Sequence, residues 1–367
     1  MTATRPPGLR RMAGLLLALP LAAQSQAPAP EARYQALRVQ ADGGAGTLQV
    51  LASGPLEAGG SAITTAVIAI HGHSRDALRT FQAATAAAAA AGQGASTLVA
   101  SPLFQVTDAT RCHSPGLPAP QAGDLLWTCS TWQQGAGAQN APGVTANNAI
   151  DTLVGHLLQH HPALQTITIA GFSAGGQMVQ RYIGFAATPA RPVRLRYVVG
   201  SPSSWLYFDP ERPLPTREGQ AADWATCTTG APALAGTCGF TLALPDAGAC
   251  PRYHDWKFGT GHWPATQARS AEAARAAYSA ADVTYLLGAQ DTGTGPDAAY
   301  GILDKTCPAQ LQGPYRLQRG LAYAAYDAAK LAGGRHRLVP PAAGCGHDVR
   351  CVFPSASGQA ALFPAAQ

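Results

Sequence analysis

Charge is scarce in this sequence. Asp, Glu, Lys and Arg make up 12% of the 367 residues, against 47% hydrophobic residues. A chain of that balance is not disordered by composition and has enough apolar mass to bury a large core. Lys/Arg clusters are missing beyond the first few residues, so neither nucleic-acid binding nor a polybasic membrane contact has support. No C-x-x-C pair occurs, which leaves a zinc ribbon or thioredoxin-like centre without its ligands. There is also no internal repeat. Gly and Pro, by contrast, number 40 and 29. They are dispersed and follow no period, which reads as many turns and long loops.

Arg5, Arg10 and Arg11 precede an apolar run from Met12 to Ala23, with small residues up to Ala27. This is the layout of a secretory signal, and the run is shorter than the roughly 20 residues of a membrane-spanning helix. Residues 1–27 are therefore expected to be a signal peptide and 28–35 a Pro/Ala linker. Removing 1–27 takes away three Arg and no acid, so the net charge falls from +5 to +2. The expectation is a secreted or periplasmic protein without stable membrane association. All eight Cys follow the signal, and export makes four disulfides the default. Local closure gives Cys112–Cys129, Cys227–Cys238, Cys250–Cys307 and Cys345–Cys351.

The length allows two average domains or one α/β domain with an insertion. Two opening strands are predicted at 36–40 and 47–52. Continuous apolar runs at 66–70 and 96–100 have the pattern of strands buried on both faces. An Ala-rich helix follows the first, capped by Ser74 or Asp76. A second helix spans 147–160, with Ile150, Leu153, Val154, Leu157 and Leu158 on one face. Strands are predicted at 166–170, 195–200, 283–287 and 337–340, with helices at about 174–187 and 314–332. Strands alternating with helices indicate a mostly parallel sheet flanked by helices. The core is then divided into 36–200 and 283–367. Residues 201–282 form a cap or loop insertion over the carboxyl ends of the strands, where such sheets bind ligands. That insertion holds four of the six Trp. Trp205, Tyr207 and Trp256 are its candidate substrate contacts, the alternative being that its aromatics only pack on one another.

Chemistry enters at Gly171-Phe172-Ser173-Ala174-Gly175. A G-x-S-x-G string is common, but here a buried strand precedes it and a helix follows. The turn is so tight that only small neighbours fit two residues either side of the serine. A serine hydroxyl needs a base. Two His follow the insertion, His336 and His347. His347, in Gly-Cys-Gly-His-Asp just past the last strand, is the candidate. The supporting acid should follow the penultimate strand, which points to Asp291, with Asp297 and Asp304 as fallbacks. Asp348 reads as a local cap. The backbone N–H groups of Ala174 and His73 are the expected oxyanion donors, with Ser74 a further possibility. No cofactor is called for.

Taken together, G-F-S-A-G-G, the earlier H-G-H-S-R-D-A, L-G-A-Q-D and G-C-G-H-D resemble the α/β-hydrolase superfamily. In particular they resemble secreted esterases of the polyhydroxybutyrate-depolymerase and feruloyl-esterase kind. The resemblance covers about 36–200 and 283–353 and leaves out the insertion. It implies an α/β-hydrolase fold, hydrolysis of a small or polymeric carboxylic ester, and an acyl-enzyme on Ser173.

Three other readings stand beside it. A metal-dependent hydrolase would use His71 and His73, with Asp76 nearby. A serine peptidase would share the nucleophile. A catalytically inactive hydrolase fold would serve as a binding protein.

Overall fold

The run Ala-Val-Ile-Ala-Ile has no polar face to turn to water, so it belongs in the middle of a sheet. A computed structural model of the chain puts it there. The structure describes residues 1–2, 33–58, 62–224, 238–331 and 335–364. The chain divides into two units, Met1–Glu31 and Ala32–Gln367, and the elements below all belong to the second. The expected signal peptide lies outside the described residues save for its first two.

Eight strands make the main sheet: β1 (Arg33–Ala41), β2 (Gly44–Ala52), β3 (Thr65–Ile70), β4 (Thr97–Leu103), β5 (Thr166–Phe172), β6 (Arg194–Gly200), β7 (Val283–Leu286) and β8 (Arg337–Leu338). Their spatial order is β1-β2-β4-β3-β5-β6-β7-β8. β1 pairs antiparallel with β2, and β2 antiparallel with β4. Every other neighbouring pair is parallel. Among the described residues, six helices of seven residues or more connect or flank the strands: α1 (Ala77–Ala90), α2 (Ala146–His160), α3 (Ala174–Tyr182), α4 (Ala271–Ala280), α5 (Arg316–Lys330) and α6 (Ala356–Leu362).

The core follows from the central strands being covered on both faces. Val67, Ala69, Ala170 and Val198 pack with α1 and α6 on one side. Ile68, Ile70, Ile167, Ile169 and Val199 pack with α2 and α3 on the other. Each such side chain taken fully from water contributes roughly 1.5–3 kcal/mol. α2 starts at a reciprocal cap: the Thr145 hydroxyl accepts from the Asn148 N–H, and the Asn148 side chain accepts from the Thr145 N–H.

Several boundaries differ from the predicted ones. α3 stops at Tyr182 rather than 187 because Gly184 lies against Ala274 of α4 and the chain turns there. β8 has two residues rather than four, since Pro340 and Pro341 offer no N–H to a ladder. Within 201–282, the strands Arg212–Arg217, Gln220–Ala221 and Gly239–Ala243 form a small antiparallel sheet. The same segment also contains α4. Only Ala274 and Tyr278 of α4 are buried.

Among the described residues three disulfides form: Cys112–Cys129, Cys250–Cys307 and Cys345–Cys351. The fourth expected pair, Cys227–Cys238, falls partly outside the described residues, because Cys227 is among those omitted. No described helix is long and apolar enough to cross a membrane.

Candidate active site

The tight turn after β5 shapes the site. Ser173 adopts φ 59° and ψ −119°, a left-handed backbone rare for a side-chain-bearing residue. Such a conformation costs about 1–3 kcal/mol and persists only where surroundings enforce it. They do so here. A Cβ on Gly171 would collide with the Gly175 carbonyl, and one on Gly175 with the Ile70 carbonyl. The Ser173 N–H is held by the Gly200 carbonyl of β6 at 2.9 Å. The hydroxyl thus stands at the C-terminal end of the sheet, beside the N-terminus of α3.

His347 comes from the loop after β8. Its Nε2 lies 2.8 Å from Ser173 Oγ and its Nδ1 lies 2.7 Å from Asp291 Oδ2. An ionised carboxylate only accepts, so the proton belongs on Nδ1 and Nε2 is free to accept from the serine hydroxyl. The ring rests on Phe172 at 4.8 Å. Burial pushes the imidazole below its ordinary pKa, partly opposed by the Asp291 charge.

The His347 and Asp291 loops are joined by backbone. Ala289 N–H donates to Ala342 O at 3.0 Å and Gln290 N–H to Cys345 O at 2.8 Å. The His347 N–H itself donates to the Asp297 carbonyl. The Cys345–Cys351 bridge closes the histidine loop, and Asp348 caps the short helix Val349–Val352. Of the fallback acids, Asp297 therefore contributes its carbonyl, while Asp304 is paired with Lys257 at 3.1 Å. His336 is held by Asp327 at 2.8 Å, away from the serine.

The expected oxyanion loop lies across from α3. Ala174 opens α3, and Gly72, His73 and Ser74 line the same cleft as Ser173 and His347. The loop is pinned at several points. Asp76 stands at the cap position of α1 but makes no side-chain cap bond, and neither does Ser74. Instead Asp76 Oδ1 accepts from the Gly72 N–H at 2.8 Å. Arg75, buried at φ 58°, donates to Cys112 O at 3.0 Å and Gln105 Oε1 at 2.8 Å. The loop is thereby tied to the Cys112–Cys129 segment.

His71 and His73 do not form a metal site in this arrangement. His71 is fully buried, with its ring against Trp132 and Phe104. Its Nδ1 meets Gly72 O at 2.9 Å and its Nε2 accepts from Phe104 N–H at 3.2 Å. Burial lowers its pKa to about 4, so the ring is a neutral spacer with both nitrogens engaged. Among the described residues no group of three or more His, Cys, Asp or Glu is placed to hold a metal ion.

The expected aromatic contacts need correcting. Trp205 and Tyr207 are fully buried. Trp205 stacks on Tyr323 at 4.4 Å, and Tyr207 packs between Tyr323, Tyr326 and the Arg212 guanidinium. Trp256 is half-buried against Trp263 and Phe185. None of the three lines the cleft at Ser173, because the chain after β6 folds down onto α5 instead of over the serine. The cleft wall comes from the loop after β7, through Ala299 and the exposed Ile302. The cleft is small, about 150 Å³. Larger grooves of about 1070 and 670 Å³ lie at the other end of the strands, lined by Arg191, Arg194 and Arg337 among others, and hold no nucleophile.

Sequence reasoning missed the residue behind the acid. Arg316, the first residue of α5, places Nη1 3.6 Å from Asp291 Oδ1, and both side chains are 1% exposed. A lone arginine at a helix start carries no pattern that would have marked it.

No protein-family model matches this chain, and no curated protein matches it. Solved structures do. Poly(aspartic acid) hydrolase-1 from Sphingomonas sp. KT-1 is 18% identical, with a TM-score of 0.52 over 86% of this chain and 94% of that one. LpqC, a poly(3-hydroxybutyrate) depolymerase from Bordetella parapertussis, is also 18% identical, with a TM-score of 0.50 over 87% of each chain. This chain has the α/β-hydrolase fold. Its antiparallel second strand and β1-β2-β4-β3-β5-β6-β7-β8 order give that fold, with Ser173 on the turn after β5 of the α/β-hydrolase sheet.

Proposed function

We propose that the chain is an exported serine hydrolase that cleaves carboxylic esters through an acyl-enzyme on Ser173. The observation that carries this reading is the unbroken chain Ser173 Oγ–His347 Nε2–His347 Nδ1–Asp291 Oδ2, with links of 2.8 and 2.7 Å. His347 takes the serine proton as Oγ attacks the ester carbonyl carbon. The oxyanion forms toward the N–H groups of Ala174 and His73. His347 then gives its proton to the departing alcohol oxygen, and a water activated by the same ring hydrolyses the acyl-enzyme. Asp291 keeps the imidazole in the Nδ1–H tautomer and stabilises the imidazolium.

The two similar structures are hydrolases named for polymers, which supports a polymeric or small ester as substrate here. The exposed Ile302 at the edge of the small cleft offers an apolar contact for a chain that extends past the scissile bond. The signal-like leader and the disulfides support export. The 201–282 segment is proposed as a cap or loop insertion in the core. Ser173→Ala tests the reading. Turnover of aryl esters should fall at least about a thousandfold with the circular dichroism spectrum unchanged. Near-normal turnover would rule out this nucleophile.

A further inference from the structure

Asp291 is a buried carboxylate, 1% exposed, and a buried charge is costly unless it is paired. Asp291 has one oxygen on His347, while the other, Oδ1, has no hydrogen-bond donor among the described residues. The charge facing that oxygen is Arg316, 3.6 Å away. Arg316 does not depend on Asp291 for its place. Its Nη1 donates to Ala298 O at 2.6 Å, Nη2 to Ala299 O at 3.4 Å and Nε to Ser203 Oγ at 3.3 Å. The acid loop also closes onto the same turn of helix, where the Leu317 N–H donates to Asp291 O at 3.0 Å. A fixed cation therefore lies behind the carboxylate and His347 in front, while the helix start holds the main-chain carbonyl of Asp291.

We propose that Arg316 is a positioning residue for the reaction at Ser173, holding the Asp291 carboxylate toward His347 while fixing the cleft wall at Ala298 and Ala299. The inference rests on the serine-hydrolase reading. Its two halves use different parts of the side chain: the charge acts on the acid, and the fork of N–H groups acts on the wall. Ala299 lines the cleft and sits at φ 43°, so its backbone needs such an anchor. Charged groups bear on His347 from several elements. Asp291 and Arg316 face it from the β7 loop and α5, Asp76 from the loop before α1, and Asp348 adjoins it with its carboxylate bound by Arg350. Arg79 of α1 lines the same cleft, while Arg316 is the cation that acts on His347 from beside Asp291. An imidazole relieved of that cation holds its proton to higher pH, so losing Arg316 raises the pH at which the ring reaches its working state.

The test is the pH profile of kcat/KM for a short aryl ester, on soluble protein normalised by fluorophosphonate titration. Arg316→Met should move the acidic limb upward by about one pH unit. Arg316→Lys keeps the charge and loses the fork. It should leave the limb at the wild-type position while raising KM for a longer ester several-fold. A limb unmoved in Arg316→Met, or displaced upward in Arg316→Lys, overturns the role in holding the acid. An unchanged KM in Arg316→Lys overturns the role at the wall. If Arg316→Met does not fold, the lysine variant decides alone by the same two readings. Failure of the underlying reading is distinguishable, because an active Ser173→Ala enzyme would sink the nucleophile itself. An inactive one with unmoved limbs sinks only the role of Arg316.

Discussion

Replacing Asp291 by Asn exchanges a buried anion for a neutral amide of the same shape. Opposite unit charges roughly 4 Å apart attract by about 4 kcal/mol at an effective dielectric of 20. The imidazolium formed during reaction loses that attraction, which at about 1.4 kcal/mol per factor of ten is near a thousandfold. Geometry adds to the loss. Arg316 Nη1 stands beside one oxygen of the carboxylate, so the Asn carbonyl turns to that cation and its NH2 turns to His347. The ring must then carry its proton on Nε2 and can no longer accept from Ser173. Together these give a loss of about 10³–10⁴ in kcat/KM. The assay is p-nitrophenyl ester hydrolysis by protein shown to be folded by near-ultraviolet circular dichroism. A loss of less than tenfold would refute the reasoning.

Three further outcomes follow from the same geometry. Burial holds His347 below its ordinary pKa of 6.5, and the working form is neutral, so the acidic limb of kcat/KM should have its midpoint below pH 6.5; a midpoint above 7 would contradict this. His71 is protonated in the unfolded chain from about pH 6.5 downward but in the folded protein only near 4. Its contribution therefore destabilises the fold as pH falls through that window, by about 3 kcal/mol in all, and urea melts of His71→Gln should show correspondingly less acid sensitivity than wild type. Replacing Cys345 and Cys351 by Ser together removes a short loop closure worth about 2 kcal/mol; activity should fall well before the core melts, and full activity at ambient temperature would show that the histidine loop does not need the bridge.

What the sequence revealed was set by how local each signal is. The turn at Gly171–Gly175 was legible because its constraint lies within five residues: small neighbours, a strand before, a helix after. His347 and Asp291 were legible through chain order, since each follows a strand in a parallel sheet and must reach the same end of it. Arg316 was not, because its meaning comes only from its neighbours in space. Trp205 and Tyr207 misled for a related reason. Aromatics in a loop-rich segment look available to a ligand, and only the packing of Tyr323 and Tyr326 on α5 shows what buries them. α4 lies inside the expected insertion, an alanine-rich helix of which only Ala274 and Tyr278 are buried. The helix-cap reading of Asp76 failed because a carboxylate at that position has a second donor within reach, the Gly72 N–H.

The nucleophile is tested most directly by trapping it. Wild-type protein treated with a tagged fluorophosphonate should gain one adduct by intact mass, mapped by peptide sequencing to Ser173, while Ser173→Ala gains none. Folded wild-type protein that stays unmodified, or an adduct on another residue, would contradict the assignment on which the whole mechanism stands.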